Sequence, residues 1–218
     1  MHILITAPTE MELNLIEEKI SKEQIHEINF HFLVSEVGVL HATASLYHFY
    51  RDKSIDLAIQ VGLAGSFNKS IPLGSVCIVK NDCIGDSGVF ENNSWLDLFD
   101  LNLIHKSKYI YKNKVLTNNM KKIPDYLKYP FVNSVTVNQI STNPFFIDLL
   151  KTKYMADIET LEGAAFQYFC LEYNIPFIQF RSISNYVGER DKSKWEIKKS
   201  VQQLLFPIEK IVQKLKKG

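Results

Sequence analysis

The sequence predicts an α/β fold built on a largely parallel sheet. Short apolar runs of strand length alternate with segments whose apolar residues recur at helical spacing. The run Phe177 to Ile183 is almost continuously apolar, as a central strand covered on both faces should be. The 218 residues are 46% hydrophobic and contain no linker, repeat or low-complexity stretch, so one domain over residues 1–218 with a substantial core is expected.

His2 to Thr6 reads as the first strand. After a turn at Pro8, Glu10 to Ile20 reads as a helix with Leu13, Ile16 and Ile20 on one face. Ile28 to Val34 alternates as a strand, and Gly38 precedes a helix over Val39 to Tyr50. Leu57 to Val61 is a buried strand, and the small residues Gly62-Leu63-Ala64-Gly65-Ser66 read as the turn that ends it. Val76 to Val79 and Ser134 to Ile140 are strands. Pro144 opens a helix to Lys151. Met155 to Ile158 reads as a short strand, and Thr160 to Tyr173 as a helix carrying Leu161, Ala164, Ala165, Tyr168 and Phe169 on one stripe. After the strand ending at Ile183, a polar loop over Asn185 to Lys194 leads to one last helix near Lys217. The stretch Asp86 to Asp125 is polar, with weak strand signals only.

Composition excludes several classes. A net charge of +1 gives no reason to expect nucleic acid or an anionic membrane as partner. Lys210, Lys214, Lys216 and Lys217 suit the C-terminal end of a helix dipole. No run approaches the roughly 18 apolar residues of a membrane span. Glu10 and Glu12 follow the first apolar run too soon for a secretory leader, so a cytoplasmic location is expected. Cys77, Cys83 and Cys170 lack metal-ligand spacing and read as reduced structural thiols.

In a parallel α/β sheet ligands bind beyond the carboxyl ends of the strands. That rule selects Pro8 to Glu12, Gly62 to Ser66, the strand end near Ile140, and Ser184-Asn185, with Glu159 to Gly163 beside them. Glu12 is either a helix-start acid or a carboxylate that activates water. Glu162 lies among small and apolar residues, where a carboxylate needs a cation or hydroxyl donors. Asn185 is either a strand-end turn residue or a hydrogen-bond donor to a ligand.

Together, Thr9-Glu10-Met11-Glu12, Val37-Gly38, Gly62 to Ser66, Leu161-Glu162-Gly163-Ala164-Ala165 and Arg181-Ser182-Ile183-Ser184-Asn185 occur in the order seen in the purine nucleoside phosphorylase and nucleosidase superfamily. The chain resembles that superfamily over essentially its whole length. Arg181 to Asn185, followed by Gly188, Arg190-Asp191, Ser193 and Trp195, is most similar to its futalosine hydrolase family.

The resemblance implies a three-layer α/β/α sandwich around a mixed, largely parallel sheet, no cofactor or metal, a small-molecule nucleoside substrate and a homo-oligomer. It implies hydrolysis of the N-glycosidic bond of futalosine, releasing hypoxanthine, on the futalosine route to menaquinone. Methylthioadenosine/S-adenosylhomocysteine or aminodeoxyfutalosine cleavage is the alternative, with 6-oxopurine phosphorolysis behind it. By resemblance Glu12 activates water and Leu161-Glu162 hold the ribose. The adenine-cutting relatives carry Asp where this chain has Asn185, so Asn185 implies a 6-oxopurine, whose O6 accepts where the adenine amine donates. Ala64 and Gly65 leave room for sugar and base, Ile140 flanks the base, and Trp195, Arg190, Lys192 and Lys194, within one loop, offer an aromatic surface and cations for the 5′ carboxyphenyl group. The chain's arginines are Arg51, Arg181 and Arg190. None falls near Gly62 to Ser66, where a phosphate dianion would need one, so hydrolysis is favoured over phosphorolysis.

Overall fold

The computed structural model describes residues 1–23, 25–104, 110–120 and 123–217. Within the stretch Asp86 to Asp125, residues 105–109 and 121–122 lie outside the described residues.

Strands β1 (His2–Ala7), β2 (Asn29–Val34), β3 (Leu57–Ser66) and β11 (Phe177–Tyr186) run parallel, with β1 between β2 and β3. Four further strands complete the centre: β4 (Val76–Asp82), β8 (Val115–Thr117), β9 (Phe131–Thr136) and β10 (Ile158–Thr160). β10 pairs antiparallel with β3 and parallel with β9; β9 pairs parallel with β4; β4 pairs antiparallel with β11. Since β11 returns to β3, these five strands close a small barrel at one end of the sheet. Ala64, Cys77, Val79, Val132, Ile158 and Ile183 form a buried cluster on these strands.

Helices cover both faces. Helices α1 (Glu10–Ile20), α5 (Ile197–Gln203) and α6 (Leu205–Leu215) contact one another and the β1–β3–β11 side. Leu13, Ile16 and Ile20 of α1 meet Ile208, Ile211 and Val212 of α6 over Ile3, Ile5, Ile59, Ile178 and Phe180. On the other face α2 (Val39–Arg51) packs on α4 (Gly163–Glu172), where Leu46, Phe166, Phe169 and Phe177 share a cluster. Helix α3 (Pro144–Lys153) places Leu150 beside Val135, Val137 and Cys83. The architecture is therefore the expected layered α/β fold, with a more mixed and more curled sheet. Among the described residues no helix is long and apolar enough to cross a membrane. All three cysteines are buried and unpaired, and burial pushes the Cys77 thiol up to about 12.

Several element boundaries differ from expectation for identifiable reasons. Gly62 to Ser66 is no turn; it is the second half of β3, paired along its whole length with β11 and met by β10 at Gly65 and Ser66. Its small residues serve close packing. A Cβ on Gly62 would stand 2.3 Å from Nη1 of Arg181, and one on Gly65 would stand 3.3 Å from Nδ2 of Asn185. The strand expected to reach Ile140 stops at Thr136, because Asp86 captures the N–H groups of Asn138 (2.5 Å) and Gln139 (3.2 Å). Met155 adopts φ 49°, which delays β10 to Ile158. The single last helix is two, broken at Leu204. Pro207 cannot donate to the carbonyl of residue 203, and its ring crowds that turn. The polar stretch after Asp86 holds two hairpins. β5 (Gly88–Glu91) and β6 (Ser94–Asp97) join through Asn92-Asn93, and β7 (Tyr111–Lys112) joins β8 through Asn113-Lys114. All four turn residues have positive φ, as in the tight turns that match strand twist.

Candidate active site

The helix starts decide which side chains are free. Thr9 caps α1, and its hydroxyl donates to Oε2 of Glu12 at 2.5 Å. The N–H of Leu63 in β3 donates to the other oxygen, Oε1, at 2.8 Å. Glu12 is 5% exposed, so both carboxylate oxygens are fixed at the base of a cleft.

Helix α4 starts at Gly163, three residues later than the apolar stripe suggests, and Glu162 occupies its cap position without capping it. Two threonines do that work instead. Thr160 Oγ1 accepts from the N–H of Gly163 (3.3 Å), and Thr136 Oγ1 accepts from that of Ala164 (2.8 Å). The Glu162 carboxylate is thereby released toward the cleft. Its Oε1 accepts from the N–H of Gly38 at 3.1 Å, and its Oε2 lies 3.8 Å from Nη1 of Arg181. Gly38 has φ +94°, a conformation that favours glycine, and this explains the Val37-Gly38 pair in the sequence. Burial raises the Glu162 pKa above the ordinary carboxylate range, with Arg181 and the Gly38 N–H opposing it and the Glu12 charge adding to it.

Arg181 is fully buried and donates to Gln60 Oε1 at 2.7 Å. Gln60 Oε1 also accepts from Gln179 (2.9 Å), whose own Oε1 accepts from Gln167 (2.8 Å). A chain of buried amides thus holds the guanidinium that holds Glu162.

Asn185 lies one residue before the end of β11, at a bulge between Ile183 and Asn185. The Ser184 hydroxyl donates to its Oδ1 (2.9 Å), and its Nδ2 donates to the Tyr186 carbonyl (3.1 Å). Beyond the strand, Trp195 is anchored by its Nε1 donating to the Glu189 carbonyl (3.1 Å), and Arg190 sits over its ring at 5.3 Å.

Glu12, Ala64, Gly65, Ile140, Leu161, Glu162, Asn185, Arg190 and Trp195 all line this one cleft of about 250 Å³. The structure therefore brings these nine residues together. Lys194, also considered for the 5′ end, pairs instead with Glu189 at 2.8 Å.

Of the other buried carboxylates, Glu159 and Asp82 have no role assigned from the sequence. Glu159, beside the cleft, is 7% exposed; its Oε1 accepts from the N–H of Ser141 at 3.1 Å. Burial raises its pKa, Ser141 opposes this, and Asp86 adds to it. Asp82, at the end of β4, is fully buried and accepts from the Thr136 hydroxyl (2.9 Å) and the Cys83 N–H (2.8 Å). Strand-end position was the available signal for Asp82, and membership of the Glu159 to Gly163 segment was the signal for Glu159.

Burial pushes Asp82 up to about 7, against the pull of Thr136 and Arg181. A folded-state pKa above the unfolded value of about 4 means that the native state holds this proton more tightly. Its contribution to stability is full below about pH 4 and is lost as pH rises through about 7. Denaturant unfolding at pH 5 and pH 8 should therefore show Asp82→Asn flattening the wild-type loss of stability by roughly 2–3 kcal/mol. Parallel pH curves for the two proteins would rule out a native-state proton on Asp82.

A barrel-closed α/β sheet with two helix-start carboxylates and a strand-end amide around one open cleft defines a small-molecule-binding α/β protein of the layered type. The chain belongs to the phosphorylase superfamily, whose family model matches residues 33–215. It is 22% identical over 213 residues to the futalosine hydrolase of Thermus thermophilus, covering 96% of this chain and 94% of that protein. It is 27% identical over 206 residues to the 5′-methylthioadenosine/S-adenosylhomocysteine nucleosidase of Buchnera aphidicola, covering 83% and 77% respectively. In fold it matches a Helicobacter pylori MTAN mutant holding 5′-methylthioadenosine in the active site, with TM-score 0.80, 16% identity and 98% of each chain covered. It also matches the futalosine hydrolase of Helicobacter pylori, with TM-score 0.75 and 16% identity, covering 98% of this chain and 97% of the other.

Proposed function

We propose that this protein hydrolyses the N-glycosidic bond of futalosine and releases hypoxanthine, as a cytoplasmic homo-oligomer serving the futalosine route to menaquinone. The observation that carries the reading is the convergence of Glu12, Glu162 and Asn185 on one cleft. Likeness over nearly the full length to the Thermus futalosine hydrolase supports the choice of substrate.

Glycosidic cleavage builds positive charge on the sugar and negative charge on the leaving base. Glu12, fixed by Thr9 and Leu63, orients and deprotonates the attacking water and stabilises the cationic sugar by its own charge. Glu162, turned into the cleft by the threonine caps of α4, accepts from the 2′ and 3′ hydroxyls, with the Leu161 side chain against the sugar. Asn185 spends one amide N–H on Tyr186 and directs the other to N7 or O6 of the purine, stabilising the electrons that arrive there. Ala64 and Gly65 let the ring lie close to β3, Ile140 covers it, and Arg190 with Trp195 receives the carboxyphenyl end.

Water is the favoured nucleophile. Arg181 is buried and committed to Gln60 and Glu162, and Arg51 is paired with Asp52 on the exposed end of α2. Arg190 is stacked on Trp195 at the rim of the cleft. A phosphate beside Glu12 would also meet a like charge. The 27% identity to the Buchnera nucleosidase favours methylthioadenosine or S-adenosylhomocysteine as the second reading.

Chromatographic detection of free base from futalosine, methylthioadenosine and inosine, with and without phosphate, tests the reading. Hypoxanthine released from futalosine without phosphate is the expected result. Adenine from methylthioadenosine alone would replace it with the second reading, and strict phosphate dependence would end the hydrolytic mechanism. Asn185→Asp supplies a carboxyl group that can donate a proton and accept from a 6-amino group. This variant should raise the ratio of 6-aminopurine to 6-oxopurine cleavage by about tenfold or more. An unchanged ratio would remove Asn185 from base recognition.

A further inference from the structure

Glu159 is a buried carboxyl group for which the proposed mechanism has no use. It lies in the middle of β10, where it is the paired neighbour of Gly65 on one edge of β3, while Asn185 is the paired neighbour of Gly65 on the other edge. Paired residues on adjacent strands project to the same face of a sheet. With strands about 4.8 Å apart, Glu159 and Asn185 stand roughly 10 Å apart across a glycine that has no side chain. Both line the cleft, with Ile140 beside Glu159. A flat ring lying over Gly65 would present one edge to each.

The hydrogen-bonding of Glu159 is half complete. Oε1 is held by the Ser141 N–H, but Oε2 is buried and has no partner among the described residues. The Ser141 hydroxyl is buried beside the same carboxyl group and favours its charged form, yet a carboxylate has about four acceptor sites, so Oε2 has room for a further donor. Buried polar atoms are nearly always satisfied, so an under-satisfied carboxylate oxygen on the wall of a ligand cleft points to a donor on the ligand. The ribose hydroxyls are assigned to Glu162, which leaves the base. An ionised carboxylate only accepts. Of the two purine types at issue, the 6-oxopurine carries a donor at N1, and the 6-aminopurine carries an acceptor there.

We propose that Glu159 accepts the N1–H of a 6-oxopurine base and shares with Asn185 the choice of hypoxanthine over adenine. The inference rests on the nucleosidase reading, and it makes base selection depend on both edges of the purine. Asn185 addresses the N7 and O6 side, and Glu159 addresses N1.

The test is inhibition of base release, and direct calorimetric binding, by hypoxanthine, 1-methylhypoxanthine and adenine. The wild-type protein should bind hypoxanthine at least about tenfold more tightly than either of the others. In Glu159→Gln the amide can donate to N1 of adenine, so the hypoxanthine-to-adenine preference should fall by about tenfold or more. In Glu159→Ala, which frees both the N1 contact and its space, hypoxanthine and 1-methylhypoxanthine should bind alike. Equal binding of hypoxanthine and 1-methylhypoxanthine by the wild-type protein overturns the proposal, whether or not the variants fold. An unchanged base preference in a folded Glu159→Gln does the same. In both cases continued base release leaves the nucleosidase reading standing. No base released from any nucleoside and no base bound would overturn both.

Discussion

Glu12→Gln loses nearly all base release: kcat falls by roughly 10²- to 10⁴-fold, while the substrate still binds and the protein still folds. Gln keeps the shape of the side chain and can still accept from the Thr9 hydroxyl or the Leu63 N–H, so the first turn of α1 survives. What disappears is the charge that takes the proton from water and faces the cationic sugar. Single-turnover base release from futalosine, set beside thermal unfolding of the same samples, measures both quantities. A variant with near-wild-type kcat would assign water activation to another group. A large fall in melting temperature would make Glu12 a structural carboxylate.

Arg181→Met should be the most destabilising single change near the site. Methionine fills much of the stem volume and supplies no charge. Oε2 of Glu162 then loses its guanidinium and is left buried beside Glu12. Breaking a buried pair from one side typically costs about 3–5 kcal/mol, because the surviving charge is stranded. For a chain of this size that corresponds to a fall in melting temperature of roughly 6–20 °C. Removing both charges in Arg181→Met with Glu162→Gln should cost less than the sum of the single changes, since no stranded carboxylate remains. Differential scanning calorimetry of the two single variants and the double variant decides the matter. Strict additivity would mean that Arg181 stabilises β11 and the buried amide chain without acting on Glu162.

Much of this was legible in the sequence, for reasons that can be traced. The α1 helix follows from its apolar spacing after the turn at Pro8, and β11 from its continuous apolar run. Residues at the carboxyl ends of parallel strands and the starts of the following helices are forced toward one edge of the sheet. This is why Glu12, Glu162 and Asn185 could be read as neighbours while lying far apart in the chain. The hairpin turns at Asn92-Asn93 and Asn113-Lys114 were also written in the sequence, as asparagine-containing pairs suited to positive φ, but polar surroundings hid the strands beside them.

Residue type and spacing by themselves determined the alternation of strands and helices and the candidate positions Glu12, Glu162 and Asn185. Only the tertiary structure decided what those side chains do to one another. Gly62 to Ser66 reads locally as a turn, yet it is strand because β11 and β10 pair with it from distant parts of the chain. Glu162 reads as a residue inside a helix that begins at Thr160, yet it stands at the cap position and faces the cleft because Thr136, from a separate strand, takes over part of the capping. Glu159 reads as the junction between a short strand and a helix, and only the barrel closure sets it in β10, across Gly65 from Asn185, with an under-satisfied oxygen. The physical reason is the same in each case. Propensity and periodicity act over a few residues, whereas hydrogen-bond satisfaction of buried polar groups is settled by partners that only the folded chain brings near.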